Sequence, residues 1–173
     1  MYLQNETIRL RALEPEDLDT LYRWENDTDI WTVSNAVEPY SRYILKEYIA
    51  YSDKTIYEKK QLRLMITLNE NDKIVGAIDI FDFDVHNRRA GIGILIDGAY
   101  RQKGYAGIAL DLVKEYCFNF LHLNQLYAHI TSDNGSSRAL FTTHNFTQAG
   151  VLRSWLRNES GFVDVEIFQL INE

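Results

Sequence analysis

With 173 residues, 46% apolar and 13% aromatic, the chain is long and apolar enough for one globular domain with a substantial core. The formal net charge of -7 without a basic tract argues against nucleic-acid binding, and no apolar run is long enough to cross a bilayer. Cys117 is the only cysteine, which excludes an internal disulfide and fits a reducing cytoplasm. We therefore expect residues 1–173 to form a single cytoplasmic domain that binds neither nucleic acid nor membrane.

The first third of the chain predicts a strand and two helices. Residues 7–13 alternate in polarity, as a half-buried strand does. Residues 14–17 combine a proline with three acids, which suits the first turn of a helix, and the polar residues 26–29 are predicted to end it. A second helix is predicted over residues 41–52, after an irregular stretch at 30–39. The side chains expected to face the core from the two helices are Leu18, Leu21, Tyr22, Trp24, Tyr43, Ile44, Tyr48 and Ile49.

The central part of the chain predicts strands of both directions. Residues 62–68 and 74–81 alternate on either side of a polar turn, which indicates a hairpin. The apolar, β-branched segment 90–96 indicates a buried strand, and a further strand at 125–131 follows after a long helix. Strand, helix and strand in this order predict a parallel pair. The core face of the long helix is expected to carry Ala106, Ala109, Leu110, Val113, Cys117 and Phe120.

The C-terminal part predicts a short helix from residue 133 to about 144. Residues 146–157 and 162–171 then flank a polar, glycine-containing turn, which indicates a closing hairpin. These elements complete a mixed α/β sequence with no repeat.

The turn between the apolar strand and the long helix carries two cations and a glycine. Its residues are Arg101, Gln102, Lys103, Gly104, Tyr105 and Ala106. Backbone N–H groups at a helix start lack partners and the helix dipole favours negative charge there, so a phosphate satisfies both needs. Gly104 lets the backbone approach an anion closely, and the two cations add charge. A plain solvated loop is the alternative interpretation of this stretch alone.

The order of elements resembles the GNAT acetyltransferase superfamily over nearly the whole chain. Arg101-x-x-Gly104-x-Ala106 is similar to its Gln/Arg-x-x-Gly-x-Gly/Ala acyl-CoA loop, and Asn134-x-x-Ser137 is similar to a later motif of that family. The later motif usually runs to Gly-Phe, where this chain has Asn145-Phe146. The resemblance implies a mostly antiparallel central sheet with one splayed parallel pair of strands and helices on both faces.

Within the superfamily the chain looks most like the spermidine and ribosomal-protein N-terminal acetyltransferase branch. The residues that carry this likeness are the run Val85–Ala90, Tyr100 and the tail Gly150–Arg153. A homodimer through the closing strands is possible by the same likeness.

The resemblance also implies acetyl-CoA as the cosubstrate. Its pyrophosphate would lie on the backbone amides of residues 102–106, beside Arg101. Its pantetheine arm would pair like an extra strand with Ile94, Leu95 and Ile96, where the parallel strands diverge. Asn134 and Ser137 would hold the far end of that arm.

Two positions depart from the pattern of that family. Phe141 stands where many relatives carry a tyrosine that protonates the leaving thiolate, and Gly91 stands where a glutamate base is common. Asp79 and Asp82 are therefore the candidate bases or amine anchors. A surface pair with Arg88 or Arg89 is the alternative for these carboxylates.

Trp31 and Glu38 are the candidate substrate-binding residues, because the first helices of this family usually wall the acceptor pocket. The core is the alternative location for Trp31, and a solvated loop for Glu38. The four histidines show no metal-type spacing, so no metal is expected. His129 and His144 are predicted to be structural, and His86 is a weak candidate base.

The predicted function is acetyl-CoA-dependent transfer of an acetyl group to a primary amine by direct attack in a ternary complex. The acceptor would be a polyamine such as spermidine, or the N-terminal amine of a protein or peptide. A catalytically degenerate acyl-CoA-binding module is the alternative that Phe141 and Gly91 favour. A nucleotide-binding domain without acyl chemistry is a third possibility.

Overall fold

A computed structural model describes residues 2–34 and 36–173, apart from the side chains at positions 32 and 33. The described residues form one seven-stranded sheet in the order β1-β2-β3-β4-β5-β7-β6, in which β4 and β5 are parallel and all other neighbours are antiparallel. The strands are β1 Ile8–Arg11, β2 Leu62–Leu68, β3 Ile74–Asp84, β4 Arg89–Ile96, β5 Gln125–Thr131, β6 Thr147–Asn158 and β7 Gly161–Ile171. The predicted mixed sheet is confirmed.

Six α-helices are described. They are α1 Leu18–Glu25, α2 Thr28–Ser34, α3 Arg42–Ala50, α4 Ile56–Lys59, α5 Tyr105–Glu115 and α6 Gly135–Thr143. A π-helical turn, Tyr116–Phe120, extends α5. None of the helices within the described residues has the length and apolar character to cross a bilayer.

The sheet separates two apolar clusters, so helices cover both of its faces. Even-numbered residues of β2, such as Leu64 and Ile66, pack with α5 and with Phe141 of α6. On the other face, Met65 of the same strand packs with Leu21 of α1. Because side chains alternate along a strand, the apolar residues of β2 divide between these two layers.

Two predictions for the first helices were wrong. Residues 30–39 are not wholly irregular, because α2 occupies Thr28–Ser34. It starts directly after Asp27, whose carboxylate accepts a hydrogen bond from the Asp29 N–H at 3.0 Å. In α3 the inward stripe is displaced: Tyr43 and Ile44 are exposed, whereas Leu45 and Ile49 are buried.

The core predictions for α1 and α5 hold at most positions. Leu21 and Trp24 are buried, and Leu18 packs against them, but Tyr22 is exposed. In α5 the inward stripe is confirmed at Ala109, Leu110, Val113 and Cys117, whereas Ala106 is only half-buried. Phe120, expected on that stripe, is 57% exposed, because the wider π-helical turn rotates it away from the sheet.

The parallel pair is splayed, as predicted. β4 and β5 pair at Arg89↔Gln125, Ala90↔Leu126 and Gly91↔Tyr127, and there the pairing stops. β4 nevertheless continues to Ile96 and β5 to Thr131. A slot therefore opens between the two strands, closed at Gly91 and open toward their C-terminal ends.

Candidate active site

The slot between β4 and β5 has one apolar and one polar side. On the side of α5 it is flanked by Ile92 and Ile94 of β4 and by Ala128 of β5, which belong to the main core. On the opposite side, alternation places Gly93 and His129. The side chains on this second side are those available for chemistry, because the first side is packed against helices.

The turn after β4 presents backbone amides at the open end of the slot. Gln102 has φ 60°, and Gly104 has φ 82° directly before α5, so the chain bends twice through the left-handed region. Such bends point successive N–H groups into one concavity that suits an anion. The first helical bond runs from the Ile108 N–H to the Gly104 carbonyl at 3.2 Å, so the N–H groups at 105–107 have no acceptor one turn back. A Cβ on Gly104 would meet no atom within 4 Å, so the approach to these amides is open.

Two cations flank this turn. Arg101 is exposed, and its Nε donates to the Ile96 carbonyl at 3.3 Å, which places it at the end of β4. Lys103 is also exposed, with its Nζ 5.2 Å from the centre of the Tyr100 ring. The predicted phosphate-binding residues are thus brought together, and their donor groups fit a diphosphate.

Asn134 and Ser137 lie at the end of β5, where the chain turns into α6. The Asn134 Oδ1 accepts hydrogen bonds from the Ser137 N–H at 3.1 Å and from the Ser136 hydroxyl at 3.0 Å. The motif therefore caps α6 at the open end of the slot. A contact with the pantetheine arm stays a prediction.

Asp79 lies level with the slot, because it pairs with Gly93 across β3 and β4. Its carboxylate is held by Arg63, whose Nε and Nη2 donate at 2.7 and 2.8 Å, so its partner is neither Arg88 nor Arg89. Arg63 also donates to Glu25 at 2.5 Å. Burial alone would lower the pKa of Arg63, but Asp79 outweighs it and the pKa is raised well above its ordinary value. The Asp79 carboxylate is thus held in a fixed position beside the slot.

Asp82 lies beyond the closed end of the slot, because β3 and β4 run in opposite directions. Its carboxylate accepts a hydrogen bond from the Tyr127 hydroxyl at 3.2 Å. Burial and the neighbouring Asp82 charge raise the pKa of Tyr127 to about 12, so this phenol keeps its proton. The geometry separates the two predicted carboxylates, because Asp79 lies level with the slot and Asp82 lies beyond its closed end. A catalytic or amine-binding role for either residue stays a prediction.

The two departures from the family pattern have physical causes. A Cβ on Gly91 would lie 2.3 Å from the Phe81 ring, so the ring fills the space that a larger residue would need. Phe141 is 4% exposed and packs edge-on against Phe146 at 5.0 Å. Both positions contribute packing and offer no ionisable group.

Trp31 lies in α2, and Glu38 lies in the segment that follows it. The Trp31 indole N–H donates to the Glu25 carbonyl at 2.7 Å, and Glu25 in turn binds Arg63. Glu38 is exposed in the segment between α2 and α3. Trp31 is therefore linked to Asp79 through Glu25 and Arg63. Substrate binding by Trp31 or by Glu38 stays a prediction.

His129 is a residue to which the sequence assigned only a structural role, and that role stays a prediction. The structure places it exposed on β5, with its ring centre 5.5 Å from that of Tyr127. The signal was present in the alternation of Leu126, Ala128 and Ile130, which puts position 129 on the other face. His144, by contrast, is held by Asp111 at 2.8 Å, as a structural histidine is.

A polar cavity of about 380 Å³ lies at the open end of β5. It is bounded by the start of α2, the turn after β5 and the turn between β6 and β7. Its acidic lining residues are Asp29, Asp133 and Glu159, and its basic one is Arg157.

Comparison with known proteins decides the family. The family described as "Acetyltransferase (GNAT) domain" matches residues 7–147. This chain belongs to the GNAT acetyltransferase family. GNAT enzymes use acetyl-CoA, so the predicted class of enzyme and its cosubstrate are confirmed.

Relatives of this GNAT acetyltransferase include an uncharacterized N-acetyltransferase, p20, of Bacillus licheniformis, 27% identical over 98% of this chain and 95% of its own. The spermidine N(1)-acetyltransferase of Escherichia coli K12 is 27% identical over 84% of this chain and 76% of its own. The structure is similar to that of spermidine N-acetyltransferase from Vibrio cholerae in complex with CoA and spermine. That match has a TM-score of 0.86 and 23% identity, and it covers 96% of each chain. The structural likeness supports the fold, and the relatives agree with the predicted spermidine branch.

Proposed function

We propose that this acetyltransferase transfers the acetyl group of acetyl-CoA to a primary amine of a polyamine such as spermidine. The observation that carries the proposal is the slot past Gly91 and Tyr127, which ends at the amide-rich turn of residues 102–104. An extended pantetheine arm fits beside β4, because Ile94, Leu95 and Ile96 have no strand partner on their β5 side. Amides at the start of α5 would then receive the diphosphate.

The reaction is a direct attack in a ternary complex. A neutral amine nitrogen attacks the thioester carbonyl carbon, the C–N bond forms, the C–S bond breaks and the thiolate leaves. A backbone N–H of β4 near Ile94 would stabilise the negative charge on the carbonyl oxygen. Holding the amine and the thioester in the correct relative position lowers the activation free energy by several kcal/mol, and this effect needs no catalytic side chain.

Charge at the open end of the slot supports a cationic acceptor. The 380 Å³ cavity carries three carboxylates, on Asp29, Asp133 and Glu159, against one guanidinium. The net charge of -7 adds long-range attraction for a polycation. The relatives whose names state an acceptor include spermidine acetyltransferases, which agrees with this charge.

Binding of CoA without turnover is the second candidate function. It is favoured by Phe141 and Gly91, which are fixed in packing and carry no ionisable group. Under this alternative the slot holds CoA, and no amine is acetylated.

The test is release of free thiol from acetyl-CoA with a panel of polyamines, peptides with free N-termini and amino sugars. We expect thiol release with spermidine. Release with peptides alone would move the acceptor to a protein N-terminus. Calorimetric CoA binding without thiol release from any amine would identify the non-catalytic module, and no CoA binding would refute both.

Charge-neutralising variants test the acceptor separately. In Asp133→Asn/Glu159→Gln we expect a several-fold higher KM for spermidine and an unchanged Kd for CoA. Glu70→Gln, an exposed carboxylate in the turn between β2 and β3, is the matched control. Equal KM values in the unchanged protein and the double variant would contradict a role for the cavity. Cytoplasmic location and a homodimer through β6 and β7 stay predictions, and light scattering tests the dimer.

A further inference from the structure

One row of side chains crosses the polar side of the sheet at the level of the slot. Arg63 of β2 pairs with Asp79 of β3, and Asp79 pairs with Gly93 of β4. The parallel register that ends at Gly91↔Tyr127 brings His129 level with Gly93, two residues further along each strand. The row therefore contains Arg63, Asp79, Gly93 and His129, with the slot between the last two.

Gly93 leaves room in the middle of this row. A Cβ there would lie 3.8 Å from Phe81 and 4.0 Å from Asp79, so this part of the site is not filled as it is at Gly91. Neighbouring strands are about 4.8 Å apart, so two strand spacings separate Asp79 on β3 from His129 on β5 by about 10 Å. The splaying of β4 from β5 adds to this distance. That separation accommodates a primary amine between the carboxylate and the imidazole.

Among the described residues, the other ionisable groups of β3 and β5 named above are paired or lie away from the slot. Asp79 is bound by Arg63 through two hydrogen bonds, and Asp82 lies beyond the closed end. The Tyr127 hydroxyl donates toward Asp82 and therefore points away from the opening. Beside His129, β7 presents Ile167, which is not ionisable.

From this arrangement we propose that His129 is the catalytic base that receives the proton of the acceptor ammonium. Imidazole is suited to the task because it exchanges a proton near neutral pH. The ammonium gives one proton to the ring, and the freed lone pair attacks the thioester carbonyl carbon. As the C–S bond breaks, the second proton of the nitrogen ends on the CoA thiolate, and the imidazolium returns its proton to water. Tyr127 is a positioning residue, because its ring contacts the imidazole.

This inference rests on the proposed function, and the test uses the full chain with the amine that gives the fastest thiol release. In His129→Gln we expect kcat to fall by about 10²-fold or more, the usual contribution of a general base. The acidic limb of the pH profile of kcat/KM should disappear, and the Kd for CoA should stay unchanged by calorimetry. His122→Gln is the matched control, because His122 is exposed in the turn before β5, at the closed end of the slot. It should retain both the rate and the pH profile.

Chemical rescue provides an independent measurement. His129→Gly removes the ring, and added imidazole should restore part of kcat in proportion to its concentration. If His129→Gln keeps the rate and acidic limb of the unchanged protein, or if imidazole leaves kcat of His129→Gly unaltered, His129 is not the base although the proposed function stands. If the unchanged protein acetylates no amine, the proposed function and this inference both fall.

Discussion

The two edges of β4 behave in opposite ways. On one edge β4 is paired with β3 from Gly76↔Ile96 to Phe81↔Gly91, whereas on the other it forms three pairs with β5 and then stands open. On the paired edge the Phe81 ring of β3 lies over Gly91, and β3 is in turn held to β2 by the Arg63–Asp79 ion pair. The open edge has peptide groups and the space beside Gly93. A single strand thus supplies stability with one edge and a binding surface with the other.

The largest effect should come from removing the cation on the paired edge. Arg63→Met leaves the carboxylates of Asp79 and Glu25 facing each other without their shared partner. Because these side chains are half-buried, removing Arg63 leaves two partly desolvated carboxylates uncompensated, and we expect a loss of about 3 kcal/mol in the free energy of unfolding, the low end of the range for buried pairs. That corresponds to a Tm lower by about 6–12 °C in calorimetry.

Arg9→Met is the matched control for Arg63→Met. Arg9 pairs with Asp72 at 2.7 Å on the surface, where such a pair contributes less than about 1 kcal/mol. Equal losses in the two variants would show that the paired edge has no special dependence on Arg63.

A smaller loss should follow from adding one methyl group where the slot closes. The new Cβ in Gly91→Ala would lie 2.3 Å from the Phe81 ring, and such overpacking costs about 1–3 kcal/mol. Urea unfolding measures it. Gly93→Ala should lower the free energy of unfolding much less than Gly91→Ala does, because its Cβ would be at ordinary contact distance. In a Phe81→Ala background the cost of Gly91→Ala should disappear, and a cost that persists would exclude the ring as its cause.

On the open edge, the affinity for CoA should depend on Gly104. Alanine at φ 82° is strained by about 1–2 kcal/mol, and relief of that strain would turn the amides away from the ligand. We therefore expect Gly104→Ala to bind CoA about tenfold more weakly in calorimetry. Gly98→Ala is the control on the same connection, since Gly98 lacks a positive φ and has open space around its Cβ position. Unchanged affinity in Gly104→Ala would argue against binding of CoA by this turn.

The smallest effect concerns pH and the residue that ends β4. Burial alone would raise the pKa of Asp97, but hydrogen bonds from Trp24 at 3.0 Å and Ala99 at 3.1 Å, with Arg23 at 2.7 Å, hold the pKa below its ordinary value. Because the folded pKa lies below the unfolded value of about 3.9, ionised Asp97 stabilises the fold above that pH. This stabilisation is lost as the pH falls through the folded pKa.

Asp97→Asn should therefore be less stable than the unchanged protein by about 1 kcal/mol at pH 7, and the difference should shrink below about pH 4. Urea unfolding at pH 7 and pH 3 checks both statements. Asp53→Asn, at an exposed position, should show no such dependence. If the difference in the free energy of unfolding between Asp97→Asn and the unchanged protein is the same at both pH values, the charge of Asp97 is not what stabilises the fold.

Most strands were predictable because their signal is local. Residues 62–68 alternate except at the apolar Met65, and β2 has the predicted bounds. The missed helices had local signals too: Asp27 precedes α2 as a cap, and Thr55 with Glu58 forms a capping box before α4. The polar run at 26–29 was interpreted as the end of one helix, although it also begins the next.

The candidate site was less predictable, because it depends on which residues the strands place opposite each other. The Arg63–Asp79 pair follows from the β2–β3 register. That register includes an irregularity at Ile66/Thr67, which no local sequence pattern predicts. The position of His129 beside Gly93 follows from the register of two strands separated by α5. Long-range register is set by tertiary packing, so the sequence alone left these partners open.

The three residue pairs between β4 and β5 are the one stretch of strand pairing that joins β1–β4 to β5, β7 and β6 within the described residues. Each of the two blocks has longer ladders of its own, so we expect thermal opening of the sheet to concentrate at this β4–β5 pairing. Deuterium uptake by the amide of Ala90, which lies on the β5 edge of β4, would measure that opening.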